Sequence, residues 1–206
     1  MGFSFSALKK PFLCLAPMED VTDSVFRQMV ATLRQTQGHG PDVMFTEFTN
    51  VEGMCSQGGD EVIKRLRYED IERPIVAQIW GKEPDNFLKA AKMIKDLGFD
   101  GVDVNFGCPE KKVVKTGACI GMIGDRDRVG EIIAATKEGT GELPVSVKTR
   151  IGLDKIVTED WCGFLLEQKL DALTVHGRTA REMSSVPAHW DEIAKVVRLR
   201  DDYMKR

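Results

Sequence analysis

The sequence predicts an α/β protein, a (β/α)8 TIM barrel that is truncated after about six strand–helix units. Short runs rich in β-forming residues alternate with amphipathic stretches, which is typical of a parallel sheet covered by helices. Within four of these runs, apolar and polar residues alternate, so the two faces of each predicted strand differ. No Gly-x-Gly-x-x-Gly turn follows the first run, which weakens the alternative of an open dinucleotide-binding sheet.

The order of elements follows from these patterns. Six strands are predicted, at Phe12–Met18, Val43–Phe48, Pro74–Trp80, Gly101–Phe106, Pro144–Arg150 and Asp171–His176. The clearest helix is Pro84–Leu97, where apolar residues recur at helical spacing and Gly98 follows the end. Four further helices are expected at Asp23–Gln35, Arg126–Glu138, Thr158–Gln168 and Trp190–Leu199.

The number of strands bears on the completeness of the domain. A whole barrel needs eight strands and about 250 residues. Residues 1–206 are therefore expected to form one incomplete barrel domain, without strands seven and eight and with two open sheet edges.

Composition excludes several classes of protein. The chain of 206 residues is 42% hydrophobic and 30% charged, as expected of a soluble globular domain. No apolar run approaches the ~20 residues of a membrane span, and no signal peptide is recognisable, so we expect a cytoplasmic protein without a membrane partner. The five cysteines form no Cys-x-x-Cys pair, which argues against a disulfide framework or a structural metal site. The net charge of −3 means that any RNA contact must come from a local patch.

Strand alternation places four polar side chains on the face that points toward the barrel axis. They are Gln78, Asn105, Lys148 and His176, near the carboxyl ends of four successive predicted strands. Barrel enzymes have their active sites at that end. A single inward polar residue is commonly a hydrogen-bonded core group. Four of them at equivalent places predict a ligand-binding mouth, because buried polar groups without partners cost free energy and a polar cofactor ring would pair them.

Six short motifs occur in a fixed order. One is Asn105-Phe106-Gly107-Cys108-Pro109, which ends a predicted strand and begins a loop. The others are Leu15-Ala16-Pro17-Met18, Thr46-Glu47, Ala77-Gln78, Val147-Lys148-Thr149-Arg150 and Val175-His176-Gly177-Arg178-Thr179. In order and spacing, from about Leu13 to Ile193, these motifs closely resemble the tRNA-dihydrouridine synthase family.

The resemblance implies an activity and a catalytic residue. Members of that family use FMN, reduced by NADPH or NADH, to reduce the 5,6 double bond of uridines in tRNA. Hydride passes to C6 of the uracil and a cysteine protonates C5, and Cys108 matches this cysteine. An unperturbed thiol has a pKa of roughly 8.5 and carries its proton at neutral pH, which suits an acid.

The resemblance also implies the residues that hold the ligands. The expected cofactor contacts are Pro17, Met18, Glu19, Gln78, Lys148 and His176. The expected substrate or RNA contacts are Asn105, Lys111, Lys112, Arg150 and Arg178. Lys148 is expected beside the N1–O2 edge of the flavin, where a cation stabilises the anionic reduced ring.

Two positions depart from the family pattern. Glu19 stands where a small residue is common, and Cys119 stands where small or hydroxyl residues are common, so Cys119 is a second candidate reactive thiol. The family's helical RNA-binding domain has no counterpart in the sequence.

Two alternatives stay open. One is another FMN-dependent barrel enzyme that acts on free pyrimidines, like a dihydroorotate or dihydropyrimidine dehydrogenase. The other is an inactive fragment, because an incomplete barrel would lack the phosphate-binding loops that usually follow strands seven and eight.

Overall fold

A computed structural model describes residues 2–205 and contains one parallel sheet. The strands are β1 (Cys14–Leu15), β2 (Val43–Phe45), β3 (Thr49–Asn50), β4 (Ile75–Trp80), β5 (Gly101–Phe106), β6 (Val145–Arg150) and β7 (Ala172–His176). The sheet order is β1-β2-β4-β5-β6-β7, and β3 also pairs with β4. All six predicted strands are therefore confirmed, although β1 is much shorter than predicted.

Helices alternate with these strands. They are α1 (Ser24–Gln37), α2 (Val51–Met54), α3 (Gly59–Ile63), α4 (Pro84–Asp96), α5 (Lys111–Lys115), α6 (Arg126–Thr140), α7 (Thr158–Glu167) and α8 (Trp190–Met204). The five predicted helices are confirmed within a few residues at their ends. Within the described residues, none of these helices has the length and apolar character needed to cross a membrane.

The ends of α1 show why the sequence folds into a helix there. The Asp23 side chain accepts a hydrogen bond from the backbone N–H of Phe26 and so caps the start of the helix. At the other end Gly38 adopts a φ of 73°, a left-handed conformation that favours glycine and stops the helix.

A bulge separates β2 from β3. Met44 pairs with Ile75, whereas Thr49 pairs with Ile79, so the register shifts by one residue between the two pairs. At the bulge the Thr46 hydroxyl accepts a hydrogen bond of 3.0 Å from the backbone N–H of Gln78. This side chain replaces a backbone partner, and β3 continues the line of β2 beside β4.

The outward face of the sheet forms the main core. Apolar residues of β4, β5 and β6 are fully buried on this face, including Ile79, Val104 and Val147. They pack against apolar faces of the helices, to which Phe87, Ile94, Val129, Ile132 and Leu165 contribute. The predicted alternation of the strands is thereby confirmed on the apolar side.

The inward face is apolar at the amino-terminal end of the strands. There Phe5, which precedes β1, packs against Val43, Phe45 and Val76 in a separate cluster. This cluster closes the end of the sheet opposite the predicted mouth, so polar groups have space only toward the carboxyl ends.

The edges of the sheet are open, because β1 and β7 do not pair with each other within the described residues. A cavity of about 590 Å³ follows this gap. Its lining is largely apolar and includes Phe12, Leu173, Val175, Val197, Tyr203 and Met204. None of the predicted site residues lines it, so the cavity is separate from the mouth.

A buried ion pair fixes α1 to the segment that precedes β4. The Arg27 Nε and Glu72 Oε2 atoms lie 2.5 Å apart, and both side chains are completely buried. Arg27 also donates to the carbonyl oxygens of Thr22 and Arg67, and the other Glu72 oxygen accepts from Ser24 and from the backbone N–H of Glu69. Each charge is therefore surrounded by hydrogen-bond partners, which makes its burial tolerable.

We expect Glu72→Gln to lower the free energy of unfolding by about 3–5 kcal/mol, because the buried Arg27 charge would lose its counter-ion. Urea denaturation measures this change. Asp202→Asn is the matched control, since it breaks an exposed pair with Lys205 and should cost less than about 1 kcal/mol. Equal effects of the two substitutions would contradict a structural role for the buried pair.

Candidate active site

The inward polar residues lie in steps at the carboxyl ends of the strands. Gln78 pairs with Asp103, Asn105 with Lys148, and Arg150 with His176. The pairing register therefore steps forward along the chain from Gln78 to His176, with Asn105 and Lys148 at the same step. The cause is the tilt and stagger of strands in a barrel-type sheet.

Asp103 is the centre of a buried network that the sequence analysis did not include in the site. Its carboxylate accepts hydrogen bonds from Gln78 Nε2 at 2.6 Å and from Ser146 Oγ at 2.5 Å. Burial raises the pKa of Asp103 to about 6, although these two hydrogen bonds and the Lys148 charge counteract the rise. The sequence did contain a signal for this residue, because strand alternation places the Asp103 carboxylate on the inward face of β5.

The network continues from Gln78 to the loop that carries Cys108. Asn105 Nδ2 donates to Gln78 Oε1 at 3.0 Å. Asn105 Oδ1 accepts from the backbone N–H groups of Gly107 and Cys108, each at 2.9 Å. Both ends of the Asn105 amide are thus engaged, and Asn105 fixes the turn that presents Cys108.

Gly107 lets this turn pass close to β6. A Cβ atom at this position would lie 3.2 Å from backbone atoms of Thr149. A side chain here would be in tight contact with the β6 backbone, so glycine suits the close approach of the turn to the strand.

Cys108 is half-buried. The Cys119 thiol, the backbone of Glu110 and the Arg150 charge lower the pKa of Cys108 to about 7, against the effect of burial. The expectation of an ordinary thiol is therefore corrected. A pKa near the working pH is the range in which an acid or base catalyst is most efficient.

Arg150 connects the Cys108 turn with the loop after β7. Its side chain is buried, and its Nε donates to the carbonyl oxygen of Gly107 at 3.1 Å. Its NH1 donates to the carbonyl oxygens of Thr179 and Met183, at 3.1 and 3.0 Å. Arg150 was predicted to contact the substrate or RNA. In the structure it makes three hydrogen bonds to groups of the protein itself.

His176 and Arg178 lie side by side at the rim. Arg178 NH1 and His176 Nε2 are 3.1 Å apart, and Arg178 Nε donates to the carbonyl oxygen of Val186 at 2.6 Å. A guanidinium can only donate, so His176 Nε2 accepts and the imidazole proton resides on Nδ1. Burial and the charges of Arg150, Lys148 and Arg178 lower the pKa of His176 to about 4, which keeps the ring neutral.

Lys148 is a cation of the mouth whose ammonium group could bind a ligand. It lies level with Asn105, and burial lowers its pKa despite the attraction of Asp103. Within residues 2–205 its ammonium group forms no hydrogen bond or salt bridge. A partly buried ammonium with free donors is suited to an anionic ligand group.

The segment after β1 forms a tight turn beside the mouth. The Thr22 hydroxyl accepts from the backbone N–H of Met18 at 2.9 Å and donates to the carbonyl oxygen of the same residue. Pro17 is half-buried and the Met18 side chain is exposed, so both are accessible to a ligand.

Glu19 takes part in an ion-pair cluster instead of standing free. Arg65 lies 2.5 Å from Glu19 Oε1 and 3.4 Å from Glu47 Oε1, and the latter oxygen accepts from the backbone N–H of Asp20. Three carboxylates converge there, and Arg65 supplies the positive charge that offsets them.

Exposed lysines follow Cys108. Lys111 and Lys112 begin the short helix α5, whose first turn is capped by the Glu110 side chain. They extend from the mouth toward solvent and form a local basic surface on an otherwise acidic chain.

The parallel strands, the alternating helices and the polar mouth at the carboxyl ends define a barrel-type α/β fold. Two solved structures have a similar fold. The match to morphinone reductase has a TM-score of 0.53 and 12% identity, and it covers 93% of this chain and 79% of the reductase chain. An old yellow enzyme homologue from Zymomonas mobilis has a TM-score of 0.59 and 14% identity over 94% of this chain and 78% of that chain. These likenesses concern the fold, and they confirm the predicted barrel class.

The sequence comparisons identify the family. Residues 14–199 match the family model described as Dihydrouridine synthase (Dus). A probable tRNA-dihydrouridine synthase of Staphylococcus aureus (strain COL) is 45% identical over 200 residues, which cover 96% of this chain and 59% of the relative. Probable tRNA-dihydrouridine synthase 2 of Bacillus subtilis (strain 168) is 45% identical over 197 residues, which cover 95% of this chain and 58% of the relative. The chain therefore belongs to the dihydrouridine synthase family, as its motifs predicted, and it spans under two thirds of these relatives.

We expect His176 to remain neutral from pH 8 down to about 5 in the folded chain, with its proton on Nδ1. Because the ordinary pKa of 6.5 is higher, the unfolded chain binds a proton first. His176 therefore favours the fold above pH 6.5, and this contribution is lost as the pH falls toward 4. Nitrogen chemical shifts of the imidazole measure both the protonation and the tautomer. Arg178→Met should raise the His176 pKa, whereas a wild-type midpoint near 6.5 would contradict this assignment.

We expect Arg150→Met to raise the Cys108 pKa and to increase amide exchange at Gly107, Cys108 and Glu110 by about tenfold or more, because buried carbonyl groups lose their donors. Arg150→Lys keeps the charge but not the planar fork, so exchange should rise while the Cys108 pKa stays low. The alkylation rate of Cys108 against pH measures the first effect. Arg126→Met, at an exposed ion pair, is the control. Unchanged exchange in both Arg150 variants would disprove the clamp.

Proposed function

We propose that this chain is the catalytic part of an enzyme that reduces the 5,6 double bond of uridines in tRNA, with FMN as cofactor and NADPH or NADH as the reductant. The observation that carries the proposal is the connected site at the carboxyl ends of β4–β6. There a thiol with a pKa of about 7 is held by a buried amide network beside an unpaired ammonium group.

The donor set fits a flavin ring. The Lys148 ammonium is partly buried and lacks a partner within residues 2–205, and a reduced flavin carries negative charge at its N1–O2 edge. The neutral His176 offers an Nδ1–H donor on the same side of the sheet. Gln78 has a second amide hydrogen beyond its bond to Asp103. Pro17 and Met18 supply apolar surface at the neighbouring edge.

Cys108 would act as the proton donor. Bound FMN supplies the hydride that reaches C6 of the uracil. Cys108 holds a proton on Sγ and transfers it to C5, while the turn fixed by Asn105 sets the position of the sulfur. A pKa of about 7 permits both the donation and the return of the proton from solvent. Arg150 then stabilises the resulting thiolate.

The substrate would reach the site as a flipped nucleotide. A base in a stacked RNA cannot reach a cofactor at the bottom of a mouth, so it must leave the stack. Lys111 and Lys112, at the rim beyond Cys108, are placed to contact the flanking phosphates, and Arg178 can add charge from the opposite side. A tRNA substrate implies action in the cytoplasm.

We expect Cys108→Ala to reduce dihydrouridine formation by about 100-fold or more, since a positioned acid contributes at least that factor. Dihydrouridine is counted by mass spectrometry of tRNA from cells whose own synthases are deleted. Cys55→Ala is the matched control, because Cys55 is also half-buried but donates to the Asn86 carbonyl oxygen away from the mouth. The visible spectrum should show that both variants still bind FMN.

Two further outcomes separate the alternatives. Lys148→Met should weaken FMN binding while Cys108→Ala should not, because only the first removes a cofactor contact. Full activity of Cys108→Ala would exclude Cys108 as the acid. Turnover of free pyrimidines without RNA would instead favour a dehydrogenase of small pyrimidines.

A further inference from the structure

An aromatic side chain lies on the inward face of β4, beside the residues of the mouth. Alternation along the strand places Trp80 on the same face as Gln78, which belongs to the buried amide network. Gln78 pairs with Asp103, so two residues further along both strands Trp80 is level with Asn105. Trp80 therefore stands at the carboxyl end of β4, next to the strand that leads into the Cys108 turn.

The surroundings of Trp80 differ from those of a tryptophan in the core. Trp161, in α7, is 1% exposed, and its indole N–H donates to the Thr149 hydroxyl at 2.9 Å. A buried tryptophan usually finds such a partner. Trp80 is only half-buried, and within residues 2–205 its indole N–H forms no hydrogen bond. Part of the Trp80 ring is therefore open to a ligand.

Phe48, which immediately precedes β3, supports the Trp80 ring. The two ring centroids lie 6.2 Å apart and the ring planes are inclined at 76°, an edge-to-face arrangement that is favourable for aromatic pairs. Phe48 is itself half-buried. Because the two planes are nearly perpendicular, Trp80 has no parallel stacking partner among the described residues.

The backbone that follows Trp80 is held by the Glu52 carboxylate. One Glu52 oxygen accepts from the backbone N–H groups of Lys82 and Glu83, at 2.7 and 3.2 Å. The other oxygen accepts from the Asn50 side chain at 2.8 Å. A ring on a fixed backbone loses little conformational freedom when a ligand packs on it, which lowers the cost of binding.

We propose that Trp80 is a base-stacking residue of the mouth, and that its indole packs against the uracil that has left the RNA stack. The inference rests on the proposed function and adds a substrate contact to it. Enzymes that act on flipped bases hold the base between aromatic or apolar side chains. Stacking on an aromatic ring also contributes substantially to binding, because every base has a π face.

The position of Trp80 favours the uracil over the flavin as its partner. C5 of the uracil must come within reach of the Cys108 sulfur, and the Cys108 turn follows β5, the immediate neighbour of β4. Trp80 is level with Asn105, which fixes this turn. The proposed flavin contacts include Met18 and His176, at the two open edges of the sheet. The indole thus lies on the side of the mouth that the uracil has to occupy.

The test is steady-state kinetics of the FMN-loaded chain with an unmodified tRNA transcript. We expect Trp80→Leu to raise KM for the transcript about tenfold and to leave kcat nearly unchanged, because the stacking contact contributes to binding. Trp80→Phe keeps a π face and should recover most of this loss, which a purely structural role would not require. Phe164→Leu is the matched control, since Phe164 is also half-buried and paired with another ring but lies on α7, and it should behave like wild type.

Salt dependence and cofactor affinity are two further readouts. Stacking releases no counter-ions, so the ratio of KM values between Trp80→Leu and wild type should be the same at low and at high salt. The effect of Lys112→Gln, at a proposed phosphate contact, should instead shrink as the salt concentration rises. The affinity for FMN, measured from the visible spectrum, should not change in Trp80→Leu.

Three results would overturn the inference: an unchanged KM in Trp80→Leu, an equal loss in Trp80→Phe, or a loss of FMN affinity that accounts for the whole effect. The last result would make the flavin the partner of the ring. Thermal unfolding shows that each variant is folded. An active wild type with an equally active Trp80→Leu removes only this inference, whereas a wild type that modifies no tRNA removes the proposed function as well.

Discussion

The buried carboxylate of Asp103 is the constraint on which the order of the site depends. Removing a charge from water is costly unless hydrogen bonds replace the lost hydration, and here Gln78 and Ser146 provide them from the two neighbouring strands. Satisfying Asp103 fixes the Gln78 amide, which in turn orients Asn105, and Asn105 holds the Cys108 turn. A continuous series of hydrogen bonds thus connects the centre of the sheet to the loop that carries Cys108.

The charges around this network explain how an acidic chain can have a cationic site. Formal net charge is −3, yet Lys148, Arg150 and Arg178 surround the rim, and all three lower the pKa of His176. Arg150 and Arg178 direct several of their hydrogen bonds to backbone carbonyl groups or to His176, whereas Lys148 has none within the described residues. The three cations therefore lie together at the mouth, and within residues 2–205 the Lys148 ammonium is open to a ligand. Arg150 and Arg178 thus hold the loops in place, whereas Lys148 can bind an anionic group.

The sequence predicted the elements and the faces of the strands well, because alternation in β4–β7 reports directly on burial. It predicted less about which side chains form hydrogen bonds with one another. The bulge at Thr46 depends on a side-chain hydrogen bond to Gln78, which has no local pattern. Asp103 shares the inward face of β5 with Asn105, but the predicted site did not include it. Strand alternation indicates which way a side chain points, and it does not indicate what the side chain does.

The site consists of two parts that differ in how they are supported. Asp103, Asn105 and Lys148 lie on β5 and β6, which have a paired strand on each side, so their positions are set by backbone hydrogen bonds and by the helical layer. Met18 follows β1 and His176 ends β7, and these are the two open edges of the sheet. Local stability falls toward unpaired edges. The thiol and its network are thus organised by the interior of the sheet, while the two flanking ligand contacts depend on whatever covers its edges.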